Sequence, residues 1–203
     1  MNVVLVHGFL DTGRLFRTMA ARLAAAGHRA WAPTLRPRDG RRGIPDLAGR
    51  LGEYLAAEVP AAEPLALVGF SMGALVCRHY LGAPDRRPGI RAFFAIAGPF
   101  AGTPAAWLYP GMGTRQMRPG SAFLRELAAR GGLEGLTVCS FRTPLDLMVL
   151  PSRQSRLAGV PDRVVWCPLH SLLPSDPAVI AGIAEELGRL DGAAVPAPAR
   201  RVV

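Results

Sequence analysis

Leu65-Ala66-Leu67-Val68-Gly69-Phe70-Ser71-Met72-Gly73 runs from a short apolar strand straight into a helical stretch that continues through about Leu81. Its last five residues fit G-x-S-x-G. The strand before and the helix after give the pattern its meaning, because they force a turn so tight that the serine takes a strained backbone conformation. Bulky side chains two positions to either side would clash, which accounts for Gly69 and Gly73. The Ser71 hydroxyl is then pushed out above the sheet, and the helix aims its N-terminal amides and positive dipole end at the same spot. A serine held this way is a candidate nucleophile.

The same alternation of strand and helix extends in both directions. Val3–Val6 reads as a buried strand, and Asp11 or Thr12 is expected to cap a helix that runs to about Ala26 and is stopped by Gly27. Arg29–Ala32 reads as a strand and Pro33–Gly43 as a loop. Pro45–Glu58 reads as a helix with Leu47, Leu51, Tyr54 and Leu55 on one face. Beyond the serine, strands are expected at Arg91–Ala97, Leu136–Phe141 and Arg163–Trp166. Helices are expected at Ser121–Arg130 and Asp176–Leu190, with a long Gly/Pro-rich loop from Gly98 to Gly120. Short strands separated by helices of this length imply βαβ units. The fold class is therefore α/β: a mostly parallel sheet of about six strands with helices on both faces, and chemistry at the carboxyl ends of the strands. Residues 1–192 are expected to form a single domain, and 193–203 have the composition of a disordered tail.

Val6-His7-Gly8-Phe9 after the first strand, together with Gly69-Phe70-Ser71-Met72-Gly73, resembles the lipase and esterase branch of the α/β-hydrolases, with the small lidless bacterial lipases as the nearest match. Gly98-Pro99-Phe100-Ala101-Gly102-Thr103-Pro104 is similar to the Gly-Thr-Pro segment that follows the fourth strand in many such lipases. The resemblance covers about Val3 to Leu187. It implies an α/β-hydrolase fold and an oxyanion hole made by the backbone N–H groups of Met72, after the serine, and Phe9, in the loop after the first strand. Two positions depart from the family pattern. Leu169 stands where a glycine usually precedes the catalytic histidine, and Phe70 stands where histidine is common.

A serine hydroxyl needs a base, and four histidines are available. His28 lies in a Gly-His-Arg turn. His79 is eight residues beyond Ser71 on the same helix, roughly 12 Å along its axis. His7 sits beside the oxyanion loop and reads as a structural hydrogen-bonding residue. Only His170 gives the order Ser, acid, His that this fold uses. Between Ser71 and His170 the chain offers Asp85, Glu126, Glu134, Asp146 and Asp162. Asp162 precedes its strand, at the wrong end of the sheet, and Asp85 lies in the nucleophile half. Asp146 follows the fifth strand, and Asp146-Leu147-Met148-Val149-Leu150-Pro151 is similar to the family's acid segment. Its task is to hold the imidazole tautomer and stabilise the imidazolium. Phe70, Trp107, Leu108, Tyr109 and Leu169 are candidates for lining the substrate site.

Bulk composition narrows the alternatives. Half of the 203 residues are hydrophobic, and the net charge is +9. All 24 basic residues are arginine, scattered in short pairs and unaccompanied by a groove-reading motif, so nucleic-acid binding is not expected. Cys77, Cys139 and Cys167 have no metal-ligand spacing and read as free buried thiols; a Cys139–Cys167 bridge would require neighbouring strands. H-E-x-x-H, C-x-x-C, Walker A and G-x-G-x-x-G patterns are all missing, so neither metal nor cofactor is expected. No basic leader precedes Val3, and no apolar run is long enough to span a bilayer, which leaves a cytoplasmic expectation. The expected function is cleavage of a small-molecule acyl ester through an acyl-enzyme. Thioesterase, acyltransferase or peptidase chemistry on the same residues, or a non-catalytic binding role, stay open, as does the oligomeric state.

Overall fold

In the computed structural model, which describes residues 1–192, six apolar segments pair side by side. They are β1 (Asn2–Val6), β2 (Arg29–Trp31), β3 (Leu65–Phe70), β4 (Ile90–Ile96), β5 (Thr137–Arg142) and β6 (Asp162–Val164). The order across the sheet is β2-β1-β3-β4-β5-β6, and every pairing is parallel. The central strands are buried along almost their whole length. Continuous rather than alternating apolar runs follow from being covered on both faces.

Alternate residues divide the core into two layers. Val4, Val6, Leu65, Leu67, Phe93 and Ala95 face α2 (Ile44–Glu58), α3 (Met72–Leu81) and, further out, α5 (Ala122–Ala129). Val3, Leu5, Ala66, Val68, Phe94 and Ile96 face α1 (Arg17–Ala25) and α6 (Pro177–Gly192). Phe93 and Phe94, adjacent on β4 and fully buried, anchor the two layers from opposite sides.

The helices and loops depart from expectation in places. The first helical segment opens as a 3-10 turn over Gly13–Phe16, and neither Asp11 nor Thr12 caps it. The Gly98–Gly120 loop holds a 3-10 turn, Pro104–Trp107, and a short helix α4, Met112–Gln116. The sixth strand pairs over Asp162–Val164 and stops before Trp166, because β5, its one neighbour, ends at Arg142. Ser121 does cap α5: its Oγ accepts from Leu124 N at 3.2 Å and donates to Gln116 O at 2.7 Å. The expected tail, 193–203, lies outside the described residues. Among the described residues no helix is long and apolar enough to cross a membrane.

These contacts rank two substitutions. Phe94→Ala empties a fully buried site and is expected to cost about 3–5 kcal/mol. Ser121→Ala removes one cap and costs about 1 kcal/mol. Urea unfolding of the two variants checks the order.

Candidate active site

Ser71 joins β3 to α3 with φ 52° and ψ −122°, a backbone state that L-residues avoid. Its amide donates to Ile96 O of β4 at 2.8 Å, which pins the turn. The two glycines are there for space. A Cβ on Gly69 would lie 2.5 Å from Ala74 Cα, and one on Gly73 would lie 2.2 Å from Val6 O and 2.5 Å from His7 O. The first turn of α3 therefore presses directly on the carboxyl end of β1.

That end of β1 carries His7, Gly8 and Phe9. His7 is buried, and its Nε2 accepts from Leu35 N at 3.0 Å. Its proton is therefore on Nδ1, which donates to Gly8 O at 2.8 Å. The Gly8 carbonyl and the Phe9 N–H belong to one planar trans peptide and point in opposite directions. By holding the carbonyl, His7 fixes where the Phe9 amide points. Among the described residues neither the Phe9 amide nor the Met72 amide donates to a protein acceptor. Met72 N heads α3, where no intrahelical partner exists.

Two further loops complete the site. After β5, Asp146 is 1% exposed. Its Oδ1 accepts from Met148 N and Val149 N, both at 2.8 Å, and its Oδ2 lies 2.7 Å from His170 Nδ1. After β6, His170 opens a 3-10 turn. Its ring packs on Phe70 with centroids 4.8 Å apart, so Phe70 braces the imidazole. Thr143 Oγ1 donates to Cys167 O at 2.7 Å, and Thr103 Oγ1 donates to Met148 O at 2.6 Å. These bonds tie the loops after β4, β5 and β6 to one another.

Two cavities meet at Ser71. A cleft of about 380 Å³ holds Ser71 and His170 between Phe9, Phe70, Leu147 and Leu169. A recess of about 40 Å³ lies between Phe9, Tyr109, Ala106, Met117 and Val149, roofed by Tyr109 standing edge-on to Phe9 at 5.1 Å. Phe70, Tyr109 and Leu169 thus border the site. Trp107 and Leu108 line neither cavity: they are 63% and 78% exposed, and Trp107 stacks under Arg118 at 3.9 Å. Asp11, read from sequence as a helix cap, instead lines the cleft, and burial raises its carboxyl pKa above the ordinary value. Its position two residues past Phe9 was the available signal. Leu145, Leu147 and Met148 of the acid loop were also not singled out; exposed, they form an apolar rim. The three cysteines are free and buried, so Cys139 and Cys167 are not bridged. Among the described residues no group of three or more His, Cys, Asp or Glu is placed to hold a metal ion.

The sequence model of the alpha/beta hydrolase family matches residues 3–203. The chain belongs to that family. No curated protein matches this alpha/beta hydrolase by sequence. Its fold is shared with lipase B of Aspergillus fumigatus at 17% identity and a TM-score of 0.77, over 92% of this chain and 52% of the lipase. The chain thus spans about half the length of that protein. The ydeN gene product of B. subtilis aligns at 16% identity with a TM-score of 0.70, over 92% of this chain and 98% of the other. Polyneuridine aldehyde esterase aligns at 16% identity with a TM-score of 0.62, also over 92% and 98%.

The histidines of this alpha/beta hydrolase set an acid limit on stability. Burial lowers the pKa of His7, His28 and His79 below 6.5. The unfolded chain takes up these protons first as pH falls. Their contribution is therefore complete above the unfolded histidine value and shrinks as pH drops towards the folded values. Urea midpoints are expected to fall between about pH 7.5 and about pH 5.5, and His7→Gln is expected to flatten that slope.

Proposed function

We propose that this protein is a serine hydrolase that cleaves carboxylic esters through an acyl-enzyme, with Ser71 as nucleophile, His170 as base and Asp146 as the acid that orients it. Ser71 Oγ attacks the ester carbonyl while His170 Nε2 takes the hydroxyl proton. Asp146, hydrogen-bonded at Nδ1, holds the imidazole in the tautomer that leaves Nε2 free to accept, and it stabilises the imidazolium that forms. The carbonyl oxygen becomes an oxyanion and is received by the amides of Phe9 and Met72. The tetrahedral intermediate collapses, His170 returns its proton to the leaving alcohol, and the acyl group stays on Ser71. Water, deprotonated by His170, then attacks the acyl carbon; the bond to Ser71 Oγ breaks, His170 returns the proton to that oxygen, and the carboxylic acid leaves.

The observation that carries this reading is the 2.7 Å contact between a fully buried Asp146 carboxylate and His170, in a cleft that also holds a positive-φ serine. The carboxylate accepts two backbone amides as well, which fixes its orientation towards the imidazole. A lipase and an esterase among the structures of the same fold agree with ester cleavage. The cavities suggest which half of the ester goes where. His170 protonates the leaving group, so the alcohol belongs in the 380 Å³ cleft on its side. The acyl group belongs in the recess of about 40 Å³ under Tyr109, which accepts few atoms.

The test is hydrolysis of p-nitrophenyl esters from acetate to palmitate by the purified protein. Acetate to butyrate should be the best substrates. Ser71→Ala and His170→Ala should each lower kcat by about 10⁴-fold or more, with little change in KM. Asp146→Asn should lower kcat by a comparable factor. Absence of turnover on every ester, with no fluorophosphonate labelling of Ser71, overturns the reading. Labelling without ester turnover redirects the search to thioesters and amides.

A further inference from the structure

Beside the cleft lies a second concavity, of about 410 Å³, whose wall is dominated by five arginines: Arg36, Arg38, Arg41, Arg42 and Arg50. Leu10 belongs to this wall, and its chain neighbours Phe9 and Asp11 both line the cleft. Leu10 is thus the partition between the two spaces. It is half exposed and held at φ 62°. Its amide donates to Arg38 O at 2.9 Å, and its carbonyl accepts from Arg38 Nη1 at 2.9 Å.

The arginines stand on a fixed scaffold. The loop between β2 and α2 folds through Gly40 N to Pro37 O at 2.9 Å and Gly43 N to Gly40 O at 2.7 Å. Gly113 N donates to Gly40 O, and Gln116 Oε1 accepts from Ile44 N at 2.7 Å, so α4 clamps the loop from outside. From inside, a Cβ on Gly40 would lie 3.0 Å from Met72 Sδ, next to the nucleophile. The charge on this scaffold is compensated only in part. Asp46 holds Arg50 at 2.9 Å, and Asp39 is 3.5 Å from Arg41. Among the described residues Arg36, Arg38 and Arg42 have no carboxylate partner. Like charges gathered on one concave wall repel, and an anion seated among them relieves that repulsion. Planar guanidinium forks match the oxygens of a phosphate.

We propose that this concavity is a phosphate-binding subsite, and that the substrate is an ester whose leaving alcohol carries a phosphate that reaches past Leu10 to the arginines. The substrate half of this proposal rests on the ester-hydrolase reading above. The phosphate is supplied either by a soluble phosphate ester or by a lipid headgroup.

The test compares the whole protein with the double variant Arg36→Gln/Arg42→Gln, chosen because neither side chain holds the fold through a carboxylate. Calorimetry with phenyl phosphate reads the subsite without any turnover. Binding is expected for the unchanged protein and should weaken about tenfold or more in the variant. Kinetics with 4-acetoxyphenyl phosphate and phenyl acetate then read the link to the cleft. The kcat/KM ratio of the charged to the neutral ester should fall about tenfold in the variant, through KM. Phosphatidic acid vesicles that retain the protein and release it to phenyl phosphate would identify a headgroup. Phenyl phosphate binding without vesicle retention would identify a soluble ester. The proposal is overturned if phenyl phosphate does not bind, if the variant binds it equally well, or if the two esters lose rate in parallel. Failure of the hydrolase reading is distinct: neither ester turns over, while phenyl phosphate binding still reports on the arginines.

Discussion

The site depends on one close approach, that of the first turn of α3 to the end of β1. Only glycine at position 73 lets the helix backbone come against the Val6 and His7 carbonyls. This contact sets the head of α3, where the Met72 amide has no intrahelical partner, against the strand end that leads into Phe9. A single methyl group there would push the two apart, and the serine would lose its place even if its own backbone stayed intact. Gly69 does the same work on the other side, against Ala74.

Around that contact the side chains are held by groups that do no chemistry. The Asp146 carboxylate uses one oxygen on two backbone amides and the other on His170. A carboxylate bound this way does not rotate to a competing partner. Thr143 and Thr103 fasten the acid loop to its neighbours on either side, and Phe70 supplies a flat surface for the imidazole. Phenylalanine before the serine, a departure from the family pattern, here becomes a packing partner of the His170 imidazole. Preorganisation of this kind comes from hydrogen bonds that cross between the loops.

How much of this was legible in the sequence depended on the kind of signal. Strands covered on both faces are runs of apolar β-branched and aromatic residues, so β1, β3, β4 and β5 were readable almost to the residue. The elbow was readable because its glycines answer to geometry rather than to propensity. Helix α4 was not, since Gly111-Met112-Gly113-Thr114 is poor helix sequence and its stability comes from the Gly40 loop packed against it. Trp107 and Leu108 misled for a related reason. An apolar side chain in a loop carries no information about which way it points, and these two point to water. Asp11 was misread because a carboxylate before a helix resembles a cap, and only the fold shows it turned into the cleft.

The position of β1 in the sheet also determines when the turn at Ser71 can form during folding. β1 lies between β2 and β3, and its pairing with β3 joins Val6 to Gly69 across all of α1, β2 and α2. Closing that loop costs chain entropy before any contact repays it. Until β3 arrives, the inner edge of β1 is open and α2 has no α3 to pack on. The strand that joins β1 to the rest of the sheet is the same one that leads into Ser71. A chain still missing this pairing therefore holds neither a continuous core nor a strained serine.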